Sequence, residues 1–218
     1  MKTFGKLKLY KHKPTIIAEA GVNHDCELSK AYKLISDAKK CGVEAIKFQT
    51  YKSENLVIKN SPAYWDLKKE KTKTQRKLFN KYDKFDFKEY LKLIKRCKEK
   101  KITFLTTLFD TETVTLYSKF LPLFKIASAD ITNVPLLKIL SAQKKPILLS
   151  TGASQIDEIK FALKTLDLPK EQVCIMHCVL NYPTKDENAN LLFIETLKKK
   201  FDKHIIGYSD HVTPDNNL

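Results

Sequence analysis

Short apolar runs alternate along this chain with longer stretches in which apolar residues return every three or four positions, the patterns of buried strands and amphipathic helices. The runs are Thr15–Ala20, Val43–Thr50, Ile102–Thr107, Leu123–Ser128, Pro146–Thr151, Val173–His177 and Ile205–Tyr208. Their near-continuous apolar character predicts parallel strands covered on both faces. Between the first two, Leu28, Ala31, Leu34, Ile35 and Ala38 mark one helix face, and Gly42 is placed to stop that helix in a left-handed turn. Asp86-x-x-Glu89 reads as a capping box ahead of the stripe Tyr90, Leu93, Ile94 and Cys97. Asp110 is placed to cap a helix carrying Val114 and Tyr117, and Asn133 one carrying Leu136, Leu137 and Leu140. Ser154-x-x-Asp157 opens a further helix with Ile156, Ile159, Phe161, Ala162 and Leu163 on its apolar side. The alternation predicts an α/β fold, a (β/α)8 TIM-type barrel with about seven strands visible and incomplete at its C-terminus, as one partial domain over residues 1–218.

Nearly every predicted strand ends in polar or ionisable groups: Glu19, Lys47 and Gln49, Lys125 and Ser128, Ser150 and Thr151, His177, and Ser209. Side chains two apart on a strand share a face. Ala45, Lys47 and Gln49 therefore belong together, as do Ile17, Glu19 and Gly21, Lys125 and Ala127, Leu148 and Ser150, and Ile205, Gly207 and Ser209. If the polar members face inward, the rim holds two ammonium groups, several hydroxyls and one carboxylate, a set suited to a phosphorylated or carboxylated substrate. The bland alternatives are concrete. A strand lysine can snorkel to the surface, Glu19 can pair structurally with one of the lysines, and His177 and His211 can be satisfied rim histidines. Cys174-x3-Cys178 fits no zinc spacing and reads as inert packing.

The formal net charge of +15 raises nucleic-acid binding, but the lysines fall mainly on helical stretches among apolar residues, and no nucleic-acid motif accompanies them. The charge reads as a solvated face that also helps attract an anionic substrate. Apolar runs of about five to seven residues are far short of the roughly 20 needed to span a bilayer, and Met1–Lys6 lacks a signal-peptide core. A cytoplasmic protein is expected. Five cysteines, an odd number, fit reduced thiols. From Lys52 to about Phe85 the chain is too long for an ordinary strand-to-helix loop, and it holds the only tryptophan, Trp65, which predicts either a binding loop or a packed surface excursion.

Six segments in order carry a resemblance: Ile16-Ile17-Ala18-Glu19-Ala20-Gly21-Val22-Asn23-His24, Ala45-Ile46-Lys47-Phe48-Gln49-Thr50, Lys125-Ile126-Ala127-Ser128-Ala129-Asp130, Leu149-Ser150-Thr151-Gly152, His177-Cys178-x-x-x-Tyr182-Pro183-Thr184 and Gly207-Tyr208-Ser209-Asp210-His211. Together they resemble the sialic acid synthase, or N-acetylneuraminate synthase, family. The resemblance implies a transferase that condenses phosphoenolpyruvate with an N-acylated mannosamine-type sugar, forming a nonulosonic (sialic) acid and releasing phosphate. Matched by position, it implies phosphoenolpyruvate binding by Lys47, Thr107, Lys125, Ser128, Ser150 and Ser209. It implies acid/base work by Glu19, acceptor contacts from Gln49, Phe109, Asp130 and Tyr182, and His211 as a ligand of a divalent metal, Mn²⁺ or Mg²⁺.

Two departures accompany it. Leu180 stands where many relatives carry asparagine or serine, which removes one phosphate contact. The family's second metal histidine, a later acidic residue and its C-terminal antifreeze-like (SAF) domain would all lie beyond Leu218. A homodimer is therefore expected only for a full-length form, and the 218-residue chain alone is expected to be inactive. Three alternatives stay open: a legionaminic acid synthase using a 2,4-diacetamido-trideoxymannose acceptor, a class I aldolase forming a Schiff base on Lys47 or Lys125, and a non-catalytic sugar-phosphate or nucleic-acid binder.

Overall fold

The computed structural model describes residues 2–213 and divides into two compact units, one ending at Pro122 and the other beginning at Leu123. The first opens with an antiparallel hairpin, β1 (Lys2–Phe4) and β2 (Leu7–Leu9), absent from the sequence expectations. Gly5 takes φ +59° at the first position of its two-residue turn, a place that favours glycine because L side chains clash there. The βα alternation follows as β3 (Ile17–Gly21), α1 (Leu28–Lys40), β4 (Ala45–Thr50), two short helices α2 (Ser53–Leu56) and α3 (Gln75–Tyr82), α4 (Phe87–Lys100), β5 (Thr103–Leu108) and α5 (Thr111–Tyr117). Strands β3, β4 and β5 run parallel in that order, with Glu19 opposite Lys47 and Gln49 opposite Thr107.

The local chemistry explains the boundaries. In α1, Ala31, Ile35 and Ala38 are buried, Leu28 and Leu34 lie at the edge of that face, and Lys39 and Lys40 meet the negative end of the helix dipole. Gly42, at φ +76°, turns the chain out of the helix as expected. Asp86 and Glu89 form the anticipated capping box of α4, whose buried Tyr90, Leu93 and Cys97 pack that helix beside α1 and β5. The Asp110 carboxylate accepts from Thr113 N at 2.7 Å, the expected cap of α5. A bulge after Glu19 shifts the register so that Gly21 pairs with Phe48, yet Gly21 still presents its Cα to the Glu19 side, as expected.

The second unit contains β6 (Phe124–Ile126), α6 (Val134–Ala142), β7 (Ile147–Ser150), α7 (Ile156–Leu166), β8 (Val173–Cys178), α8 (Phe193–Lys200) and β9 (Ile205–Ser209). Its four strands are parallel and pair in sequence order. Asn133 caps α6 through Leu136 N, as expected. Ser154 does not cap α7. Its hydroxyl donates to Gly152 O, and Gln155 takes the cap position, its backbone N donating to Glu158 Oε2 at 2.7 Å. The buried face of α7 is Ile159, Ala162 and Leu166, and Phe161 is exposed because it projects about a third of a turn away from that face. Each unit thus repeats strand, helix and parallel strand, and the fold is α/β of the TIM-barrel class, with seven parallel strands among the described residues. No described helix is long and apolar enough to cross a membrane.

The stretch from Lys52 to Phe85 is packed down. Trp65 Nε1 donates to Glu70 O and Thr72 O, Arg76 holds Ser53 O and Val57 O, and Lys52 Nζ reaches Asp83 O and Phe85 O.

Candidate active-site residues at the strand ends

In the first unit the pleat places Glu19 and Lys47 side by side, with Thr107 diagonally across from Lys47 on the same face. Lys47 is only 8% exposed, yet its ammonium pairs with Glu19 and donates to Thr107 Oγ1 at 3.1 Å. An unpaired ammonium at this depth would cost several kcal/mol, and these partners offset that cost. The Glu19 side chain is half exposed, leaving its carboxylate open to solvent and to a proton donor. A Cβ added at Gly21, where φ is +53°, would lie 3.5 Å from Glu19 Oε1 and 3.9 Å from Gln49 Nε2, so the Glu19 and Gln49 side chains converge above that glycine. Phe109, in the loop after β5, meets Tyr51 edge-on at 5.9 Å. On the opposite face, Thr50 and Thr106 hydrogen-bond to one another at 2.8 Å and belong to the core.

In the second unit Lys125, also 8% exposed, donates to Ser150 Oγ at 2.7 Å and to Ile126 O at 3.1 Å. Register explains the pairing: Lys125 lies opposite Leu148, and Ser150 is two residues along on the same face. Ser128 has a different setting from the one expected. It sits in a 3₁₀ turn, Ser128–Asp130, where its hydroxyl accepts from Gly152 N at 2.9 Å and lies 3.1 Å from Cys178 Sγ. Asp130 accepts from Asn133 Nδ2, and burial raises its carboxyl pKa against the opposing pull of that bond and of Lys125. Ser209 ends β9 opposite Cys178. Tyr182, exposed, tilts over the His211 ring at 4.2 Å.

The His211 Nδ1 lies 2.7 Å from Val179 O, and since a carbonyl only accepts, Nδ1 carries the proton. His177 is a satisfied core histidine, its Nε2 at 2.8 Å from Ala189 O and its ring stacked on Tyr208. Cys174 and Cys178 are buried and free, and burial pushes the Cys174 thiol up to about 12, which makes it inert packing as expected. No group of three or more His, Cys, Asp or Glu is gathered for a metal among the described residues. Among these described residues His211 contributes a single imidazole, and they do not by themselves make a metal site.

Two contributors, Gly152 and His24, had no role assigned from the sequence. A Cβ at Gly152 would come 2.8 Å from Cys178 Sγ and 3.0 Å from Ser128 Oγ, so the loop after β7 needs glycine to approach β8. The only advance signal was the Ser150-Thr151-Gly152 run itself. His24 is fully buried, accepts from Cys26 N at 3.0 Å and stacks on Phe85 at 4.5 Å, tying the end of the 52–85 stretch to the loop leaving β3. Trp65 and Tyr82 border a cleft beside that loop.

Parallel strands whose ends carry buried ammonium–hydroxyl pairs define a TIM-class α/β protein with cationic groups at its strand ends. Residues 34–217 match the NeuB family model. N,N'-diacetyllegionaminic acid synthase of Campylobacter jejuni is 38% identical over 205 residues, covering 91% of this chain and 61% of its own. An uncharacterized protein of Methanocaldococcus jannaschii is 39% identical over 204 residues, covering 92% of this chain and 56% of its own. The crystal structure of a sialic acid synthetase from Leptospira borgpetersenii, in complex with citrate, superposes with a TM-score of 0.79 at 35% identity, covering 91% of this chain and 65% of that one. The chain belongs to the NeuB family. It spans just over half the length of the curated relatives it matches.

Proposed function

We propose that the protein condenses phosphoenolpyruvate with an N-acylated mannosamine-type aldose to give a nonulosonic acid and inorganic phosphate. The observation that carries this reading is the pair of buried strand-end lysines, each ending on a hydroxyl: Lys47 on Thr107 and Lys125 on Ser150. Charge-assisted donors of this kind suit the phosphate and carboxylate of the substrate, and Ser128 and Ser209 are proposed to add hydroxyl contacts. C3 of phosphoenolpyruvate attacks the open-chain aldehyde carbon, and the aldehyde oxygen takes a proton. Water adds at C2, losing a proton to Glu19, and phosphate departs with the C2–O bond. Glu19 fits that role because its carboxylate is both solvent-accessible and held by Lys47. Gln49, Phe109, Asp130 and Tyr182 are the proposed acceptor contacts.

The names of the relatives support nonulosonic acid synthesis as the class. A 2,4-diacetamido-trideoxy acceptor belongs to the same reading. The Schiff-base alternative is weakened because both lysines are engaged as donors, whereas a nucleophilic amine must be neutral. The test is incubation of a full-length form of the protein with phosphoenolpyruvate and N-acetylmannosamine in ¹⁸O-labelled water. A nine-carbon keto acid by mass, with phosphate free of label, is expected. Label in the phosphate would mean P–O cleavage and would overturn the mechanism.

A further inference from the structure

Resting on that reading, we propose that Thr50 and Thr106, which face away from the site, are positioning residues that hold Lys47 and Thr107 in the register phosphoenolpyruvate needs. Both hydroxyls are buried in the apolar layer behind the sheet, Thr50 3% and Thr106 1% exposed, and they lie 2.8 Å apart. Parallel partners share a face, so Phe48, Thr50, Thr106 and Leu108 lie on the far side of the sheet from Lys47, Gln49 and Thr107. The two polar contacts therefore follow opposite diagonals on opposite faces. Lys47 reaches forward to Thr107, which lies opposite Gln49, whereas Thr50, opposite Leu108, reaches back to Thr106. Sliding β5 along β4 in either direction lengthens one of the two. The lysine stem can stretch, but the short branched threonines cannot, which makes their pair the stiffer brace.

Neighbouring bonds extend the brace. The Tyr90 hydroxyl, from the buried face of α4, donates to Gln49 O at 2.7 Å and pins the end of β4 to the helix behind it. The Thr106 hydroxyl donates to Thr107 O at 3.4 Å. A hydroxyl has one proton to give, so Thr50 is the donor to Thr106. The links thus run from α4 to Gln49, from Thr50 to Thr106, and from Thr106 to the backbone of the residue whose side chain meets Lys47. Stability alone does not account for the pair. Two buried hydroxyls bonded to each other can be exchanged for valines of the same shape at little cost. What valines cannot supply is direction: apolar contacts tolerate sliding, whereas a hydrogen bond weakens steeply away from its geometry.

Two double variants of a full-length form test this. Thr50→Val with Thr106→Val should melt close to the parent, yet its KM for phosphoenolpyruvate should rise about tenfold or more, with the acceptor KM little changed. Thr50→Ser with Thr106→Ser loses two methyl groups but keeps both hydroxyls, so it should melt lower and hold the parent KM. A KM that follows the melting temperature, raised in the serine variant and normal in the valine variant, makes the pair ordinary packing and overturns the proposal. Hydrogen exchange on peptides covering residues 45–50 and 103–108 reads the brace without turnover, and the valine variant should exchange faster there. Unchanged exchange overturns the brace, and with turnover intact it leaves the proposed reaction standing. Faster exchange with an unchanged phosphoenolpyruvate KM overturns the link to Lys47. Faster exchange in the valine variant, with a parent that does not consume phosphoenolpyruvate, supports the brace and overturns the proposed reaction.

Discussion

Lys47 and Lys125 have the same burial and the same type of partner, and losing either should have similar consequences. Lys47→Met leaves Glu19 half exposed and still hydrated but removes the donor from Thr107, itself 3% exposed. Lys125→Met removes the donor from Ser150, itself 2% exposed, and an unsatisfied buried hydroxyl costs about 1–3 kcal/mol. Both substitutions should lower kcat/KM for phosphoenolpyruvate by about 2–4 kcal/mol and lower the melting temperature. Unchanged kcat/KM in both would remove the lysines from the site. Glu19→Gln tests a separate role. It keeps shape but loses proton acceptance, so turnover should fall roughly 10²–10⁴-fold. Because it also releases Lys47 from its counter-charge, phosphoenolpyruvate affinity should hold or improve. A collapse of affinity with turnover intact would make Glu19 a binding residue.

Among the elements, the loop after β7 is held by the closest fit in the second unit. Gly152→Ala would push a methyl to 2.8 Å from Cys178 Sγ and 3.0 Å from Ser128 Oγ, where real Cβ atoms do not sit. It should destabilise by about 1–3 kcal/mol, and Cys178→Ala in the same chain should recover part of the loss. Denaturant titration of the two single variants and the double variant reads this coupling, and strict additivity would show that the contact does not matter. These side-chain fits were not legible in the sequence, whereas the strands were. Near-continuous apolar runs marked all seven parallel strands to within two or three residues, because burial on both faces leaves little freedom in composition. The β1–β2 hairpin escaped because three-residue strands are too short to show alternation. The α7 cap was misplaced because Ser154 and Gln155 are adjacent and either could supply it, and the β3 register shift escaped because a bulge leaves no trace in a period-two count. For the site, the lysines and Glu19 were legible as polar groups interrupting apolar strands. Ser128's bond to Gly152 was not, since it joins segments 24 residues apart.

For the molecule as a whole, two histidines set the response to acid. Burial lowers the pKa of His24 below its ordinary 6.5, with Asp25 opposing, and burial followed by Lys170 does the same at His204, with Asp202 opposing. Each stays neutral in the fold and takes a proton on unfolding, so the unfolded chain binds more protons below that ordinary value. Stability is therefore full above about pH 6.5 and is lost as pH falls toward the depressed folded values. The melting temperature should drop between about pH 7.5 and pH 5.5, before carboxylates begin to titrate. His24→Gln, which keeps an acceptor for Cys26 N, should flatten that drop, and an unchanged slope would place the titration elsewhere.

The bulge in β3 has a consequence for engineering. Glu19 pairs in register with Lys47, but the chain immediately skips a residue and turns out through a left-handed Gly21, over which Glu19 and Gln49 meet. The carboxylate, the skipped residue and the glycine form one transplantable module. Grafting a glutamate alone onto the matching position of another barrel would carry the charge across, but not the exit path that makes room for it.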